Sequence, residues 1–84
     1  MKRERLNILE TVLTMIRISR NRIEAVAENE RLDYEGLPMD FTASEDGRNM
    51  EQNIIALDQA AERLKDVETW LDEVRELNVE APNG

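Results

Sequence analysis

The sequence contains neither cysteine nor histidine. Without cysteine there is no disulfide framework, and without either residue there is no metal site built from thiolates or imidazoles. Nucleophilic catalysis by Ser19 or Ser44 would lack an evident base. The Glu-x-x-His motif of di-iron bundles is also impossible. The sequence therefore predicts a non-enzymatic protein with no metal and no cofactor.

Glycine and proline are scarce, with three glycines and two prolines in a chain of 84 residues. Neither occurs between Arg3 and Tyr34, where apolar residues recur at spacings of three and four, as on one face of a helix. Gly36 and Pro38 then end this pattern, because proline cannot continue a helix. A first helix is predicted over about residues 3–34. Its inner face consists of Leu6, Leu9, Leu13, Ile16, Ile23 and Ala27.

A second helix is predicted over about residues 45–77, with Thr42 or Ser44 as its N-cap. Leucines recur in it every seven residues, which is typical of a coiled-coil-like seam. The predicted seam consists of Leu57, Leu64 and Leu71, with Ala60, Val67 and Val74 in the alternate positions. From about Asn78 a frayed tail is expected. The chain is therefore expected to be all-α: a single domain over residues 1–84 in which a short loop makes the two helices an antiparallel hairpin.

The first helix also carries a second apolar stripe, formed by Ile8, Val12, Met15 and Val26. The combined apolar arc is wider than one neighbouring helix needs. The sequence therefore predicts a homo-oligomeric helical bundle, most simply a dimer of two hairpins or else a larger ring. Trp70 is interpreted as a core or interface anchor. Ile18 and Ile55 are predicted to point away from the seams.

Basic residues are concentrated at the front of the chain, although the net charge is −8. Residues 1–23 hold six basic and two acidic side chains, a balance of +4, and residues 24–84 have a balance of −12. The acidic majority argues against direct nucleic-acid binding, because the phosphate backbone would be repelled. It leaves room for a basic protein partner on the acidic face of the second helix.

No apolar run approaches the length of a membrane span, so no membrane association is expected. The first residues resemble a signal peptide only superficially, since Asn7 and Glu10 interrupt the apolar run and no small-residue cleavage site follows. The lack of cysteine fits a reducing compartment. A cytoplasmic location is therefore predicted.

An arginine cluster interrupts the middle of the first helix. Its candidate ligand-binding residues are Arg17, Ser19, Arg20, Asn21 and Arg22. In one interpretation, arginines from two or more copies converge on a small anion such as a nucleotide and hold its phosphate through bidentate hydrogen bonds. In the other, Arg20 lies level with about residues 58–62 and pairs with Asp58 or Glu62, with its methylenes along the apolar surface.

The middle of the chain, EGLPMDFTASEDGRNMEQNIIALDQAAERL, resembles a recurrent pattern in short acidic two-helix proteins of phages and mobile elements. The matching residues are Leu37, Pro38, Ser44, Glu45, Gly47, Met50, Glu51, Leu57, Asp58 and Ala60. Small phage proteins of this type are similar in size and helical makeup to oligomeric proteins that block host immunity by sequestering nucleotide signals. The arginine cluster is not part of the pattern. The resemblance therefore implies a phage or mobile-element setting but no ligand-binding site.

These observations lead to one main hypothesis, a non-enzymatic homo-oligomeric binding protein. Its expected setting is anti-defence in a phage or mobile element, with a small anionic nucleotide signal as the sequestered ligand. The first alternative is an acidic inhibitor or nucleic-acid mimic that binds a basic host protein. The second is a purely structural assembly factor. The expected partners are thus further copies of the chain, and a nucleotide or a basic protein.

Overall fold

The computed structural model describes residues 1–80 of the chain, with side chains up to Asn78. Helix α1 spans Arg3–Glu35, helix α2 spans Met39–Thr42 and helix α3 spans Glu45–Glu80. No strand occurs among the described residues, which confirms the all-α prediction. Within residues 1–80, no helix combines the length and the hydrophobicity that crossing a membrane requires.

The two long helices lie side by side in a molecule of 63 × 14 × 14 Å. Near the connection, the Tyr34 hydroxyl donates a hydrogen bond of 3.3 Å to Glu51. At the far end, the amino group of Met1 donates one of 2.7 Å to the Asn78 side chain. Contacts at the two ends therefore join early residues to late ones, and α1 and α3 run in opposite directions.

The start of α3 is capped by Ser44, one of the two predicted caps. The Gly47 backbone N–H donates a hydrogen bond of 3.2 Å to the Ser44 hydroxyl oxygen. This bond satisfies one of the four N–H groups that the first turn of a helix leaves without a partner. Glu45 and Asp46 occupy the first turn, where the helix dipole favours negative charge.

The end of α3 lies later than predicted. The helix continues past Leu77 to Glu80, so the expected fraying at Asn78 is wrong for residues 78–80. The Asn78 side-chain amide donates a hydrogen bond of 2.7 Å to the Val74 carbonyl one turn earlier. This bond ties Asn78 to the helix through its side chain. The rest of the predicted tail, residues 81–84, lies outside the described part of the chain.

The connection between the long helices contains α2, which the sequence pattern did not predict. A Cβ atom added at Gly47 would lie 2.7 Å from Thr42 Cα and closer still to the Phe41 carbonyl oxygen. Since α2 packs this closely on α3, the first turns of α3 lie beside the connection and not beside α1. Contact between the long helices therefore begins near Glu51, opposite Tyr34.

The core between the helices is thin. Leu13 and Ala27 of α1 and Ile54 and Ala61 of α3 are its buried hydrophobic residues within the described chain. The other four residues of the predicted inner face of α1 are half-buried, so that face is confirmed.

The predicted seam of α3 is correct for its leucines, and its alternate residues Ala60, Val67 and Val74 are also half-buried, but they lie at the edge of the contact with α1. Leu57, Leu64 and Leu71 are half-buried, and the positions three residues before them face α1. Those positions are Ile54, Ala61 and Glu68, whereas the prediction placed Ala60, Val67 and Val74 there. The physical reason is that a carboxylate occupies an inner position, which a purely apolar pattern does not allow for.

Candidate functional site

Two of the five predicted site residues, Arg17 and Arg20, meet at a single carboxylate of α3. Arg17 Nε donates a hydrogen bond of 2.7 Å to Glu68 Oε1, and Arg20 Nε donates one of 3.1 Å to Glu68 Oε2. The Glu68 side chain is only 14% exposed. Each oxygen of this inner carboxylate thus has its own guanidinium partner, as a half-buried charge requires.

The contacts of the two arginines extend to neighbouring carboxylates. Arg17 Nη2 lies 3.0 Å from both carboxylate oxygens of Asp72, and Arg20 Nη1 lies 3.0 Å from Glu24. Arg75 also reaches Asp72, at 3.2 Å. The six side chains carry three positive and three negative charges, so the cluster is neutral. An anion entering here would have to displace Glu68 or Asp72.

A second ion pair lies closer to the connection. Arg31 Nη2 donates a hydrogen bond of 2.6 Å to Asp58, and Arg31 Nη1 donates one of 2.9 Å to Glu28. Together with the cluster around Glu68, it defines what we name the ionic side of the helix pair. The ionic side consists of Arg17, Arg20 and Arg31 of α1 and Asp58, Glu68 and Asp72 of α3.

These contacts stabilise the charged forms of the groups involved. The hydrogen bond from Arg17 holds the pKa of the Glu68 carboxyl below its usual range; Arg20 adds to this effect, and partial burial opposes it. Hydrogen bonds to Glu68 and Asp72 raise the pKa of Arg17. Hydrogen bonds to Glu24 and Glu68 raise the pKa of Arg20. All three groups therefore remain ionised at neutral pH.

The other three predicted site residues, Ser19, Asn21 and Arg22, are exposed and point elsewhere. Successive residues of an α-helix project about 100° apart, so this segment cannot converge on one point within a single chain. None of the ion pairs among the described side chains involves Arg22. The structure thus brings Arg17 and Arg20 together and leaves the other three apart.

The predicted level of Arg20 is wrong. Arg20 lies opposite Glu68, and Asp58 pairs with Arg31 instead. The cause is the overhang of α3 beside α2, which places later residues of α3 opposite any given residue of α1. Sequence reasoning also missed Glu68 itself. Its spacing of four and three residues from Leu64 and Leu71 is the signal that could have found it.

The opposite edge of the helix pair exposes a band of apolar side chains, which we name the apolar side. Ile8 is 63% exposed, Met15 60% and Trp70 62%. By helical periodicity, these residues lie roughly a third of a turn away from the inner faces, toward the edge opposite the ion pairs. The apolar side consists of the exposed residues Ile8, Val12, Met15 and Val26 of α1 and Ala56, Trp70 and Leu77 of α3, together with the half-buried residues Ala60, Val67 and Val74 of α3.

A cleft of about 380 Å³ opens on the apolar side between α1 and α3. Val26, Ala56 and Leu57 form its apolar wall, and Glu30 and Asn53 supply its polar groups. Asn53 is exposed at the edge of the seam. Within residues 1–78, no group of three or more acidic side chains is arranged to hold a metal ion.

No protein-family model, curated protein or solved structure matches the chain. The resemblance to phage and mobile-element proteins therefore stays a prediction.

Proposed function

We propose that this chain is a non-enzymatic protein that works as a homo-oligomer, and that its copies assemble through the apolar side. The simplest assembly is a four-helix bundle of two chains. The observation that carries the proposal is the exposed apolar side itself, where Ile8, Met15 and Trp70 are each about two-thirds exposed. Contiguous apolar surface of this kind marks an interaction site in a protein that stays in solution.

The thin core supports the same conclusion. Four buried hydrophobic residues, two of them alanines, give a pair of helices about 50 Å long little apolar burial. A second copy on the apolar side would bury the second stripe of α1 as well.

The proposed ligand is a small anion, with a nucleotide signal as the specific candidate. Arg17 and Arg20 offer limited support, because Glu68, Asp72 and Glu24 already occupy their donors. Arg63 is better placed, since it is exposed and outside the ion pairs of the described side chains. We propose a cytoplasmic location and an anti-defence setting on the sequence arguments alone.

A second candidate function is docking of a basic protein on the outer face of α3. Asp58 and Asp72 are paired with arginines, but another row of carboxylates faces outward and is exposed. This row consists of Glu62, Asp66, Glu73 and Glu76. A partner held by these groups would bind with strong salt dependence, because exposed charges are screened.

Native mass spectrometry of the purified protein tests the proposal, since it reports the number of chains and any small molecule that co-purifies. We expect a dimer or a larger assembly at micromolar concentration. A folded single chain at that concentration would contradict the oligomer. Titration with mono-, di- and cyclic nucleotides then tests the ligand, with Arg63→Gln as the variant expected to weaken binding. No heat with any nucleotide would exclude the ligand and leave the oligomer in place.

A further inference from the structure

The cross-helix contacts fix which residues of α1 and α3 lie at the same height, meaning the same position along the long axis of the helix pair. Arg17 contacts Glu68 and Asp72, and Arg31 contacts Asp58. One step forward along α1 corresponds to one step back along α3. Ser19 is therefore level with residues 66–70, and Arg22 is level with residues 63–67.

At these heights, the apolar side is uneven along its length. The half near the chain termini carries most of its large apolar residues: Ile8, Val12, Met15, Val67, Trp70, Val74 and Leu77. The half near the connection is more polar: its apolar residues are Val26, Ala56 and Ala60, and Asp33, Asn49 and Asn53 lie beside them. Any partner that covers this side must be apolar at one end and polar at the other, and a second copy of the chain is such a partner.

We propose that two copies pair about a two-fold axis parallel to the helices, so that α1 of each copy packs on α3 of the other. This inference rests on the homo-oligomer proposed above and specifies its interface. An axis along the helices keeps every height unchanged, so the apolar halves meet each other over the full length. An axis across the helices would reverse one copy and place its polar half on the apolar half, or else reduce the overlap.

The contacts at matched heights are complementary in this arrangement. Met15 of one copy lies level with Trp70 of the second copy, and Ser19 lies level with Val67 of the second copy. Met15 can adapt to the indole ring because its side chain is flexible and its sulfur is polarisable. At the outer edge, Arg22 of one copy lies level with Asp66 of the second copy. Arg22 and Asp66 are both exposed within the single chain.

Cross-linking between single-cysteine variants tests the axis directly, because the natural sequence contains no cysteine. Ser19→Cys and Val67→Cys are prepared separately, mixed, allowed to exchange subunits and oxidised. We expect a covalent dimer in the mixture and little in either variant alone. Cross-linking of Ser19→Cys to itself or Val67→Cys to itself would place like helices together and overturn the proposed axis.

A charge exchange gives a second and independent readout. Arg22→Asp and Asp66→Arg should each raise the dimer dissociation constant about tenfold, because two symmetry-related pairs become repulsive at once. The double variant should return to within about threefold of the wild type. If the double variant instead showed the sum of the two single losses in dimer affinity, Arg22 and Asp66 would not pair. The proposed axis would then be wrong, although the protein would still be a dimer. A wild type that sediments as a single chain would instead overturn the homo-oligomer itself.

Discussion

The ionic side and the apolar side of this helix pair have different roles. On the ionic side, Arg17, Arg20 and Arg31 meet carboxylates of the same chain at 2.6 to 3.1 Å. Those pairs favour one direction and one register of α1 against α3. On the apolar side, Met15 and Trp70 are left 60% and 62% exposed by the single chain. The difference indicates that charge organises the single chain and apolar surface organises the assembly.

The largest expected effect comes from the core that both sides share. Leu13 is 1% exposed, and Leu13→Asp should unfold the protein, because an unpaired buried charge costs about 3–5 kcal/mol. Circular dichroism during thermal unfolding measures the loss. Ile18→Asp is the matched control on the outer surface of α1, where the side chain is 46% exposed. Equal loss in both variants would mean that α1 does not bury the face described here.

Next in size is the loss of assembly when charge is placed on the apolar side. Met15→Glu combined with Trp70→Glu should give single chains in light scattering, because the carboxylates would have to be buried between copies. The control combines Ile18→Glu with Ile55→Glu, on surfaces outside both sides, where the native residues are also exposed. The control should keep the wild-type mass. If the control dissociated and the first variant did not, the interface would lie on the surface of Ile18 and Ile55 and not on the apolar side.

Substitutions of the two glycines near the connection test whether α2 packs on α3. Gly47→Ala should cost about 1–3 kcal/mol, because the added methyl would overlap with α2. Gly36→Ala should change stability by less than about 1 kcal/mol, since its φ of −82° suits alanine. Chemical denaturation of the two variants measures the difference. Equal stabilities would mean that α2 does not pack on Gly47.

The smallest expected effects lie on the ionic side. Arg20→Met should leave the melting temperature unchanged or slightly raised, because Glu68 keeps its contact with Arg17 and the methionine packs along the inner face. Arg17→Met should lower it more, since Arg17 contacts both Glu68 and Asp72. Thermal melts of the two variants give the comparison. If Arg20→Met lowered the melting temperature more than Arg17→Met, Arg20 would contribute more to stability than Arg17, contrary to this prediction.

Acid should weaken the ionic side selectively. The pKa of Glu68 in the folded protein is lowered, so its contribution to stability is present above the unfolded value of about 4.3 and is lost as the pH falls through the folded value. The melting temperature of the wild type should therefore drop below about pH 4. Glu68→Gln should show a smaller drop over the same range. Parallel curves for both proteins would exclude Glu68 as a source of the pH dependence.

The two sides also differ in how far the sequence alone predicted them. The second stripe of α1 follows directly from helical periodicity, and all four of its residues are exposed. The ionic side was harder to predict, because it depends on register. Besides the ion pairs, register depends on α2 and its close packing at Gly47, which no local sequence pattern predicts. Glu68 was missed because a carboxylate was not expected at an inner position. Its partners Arg17 and Arg20 could be identified only from the register of α3 against α1.

Trp70 reports directly on whether a second copy covers the apolar side. It is the only tryptophan in the sequence, and it is 62% exposed in the single chain. We predict that acrylamide quenches its fluorescence weakly at high protein concentration and strongly on dilution, with the change following dissociation in sedimentation. Strong quenching at every concentration, with an assembly still present, would contradict the account, because the copies would then meet elsewhere.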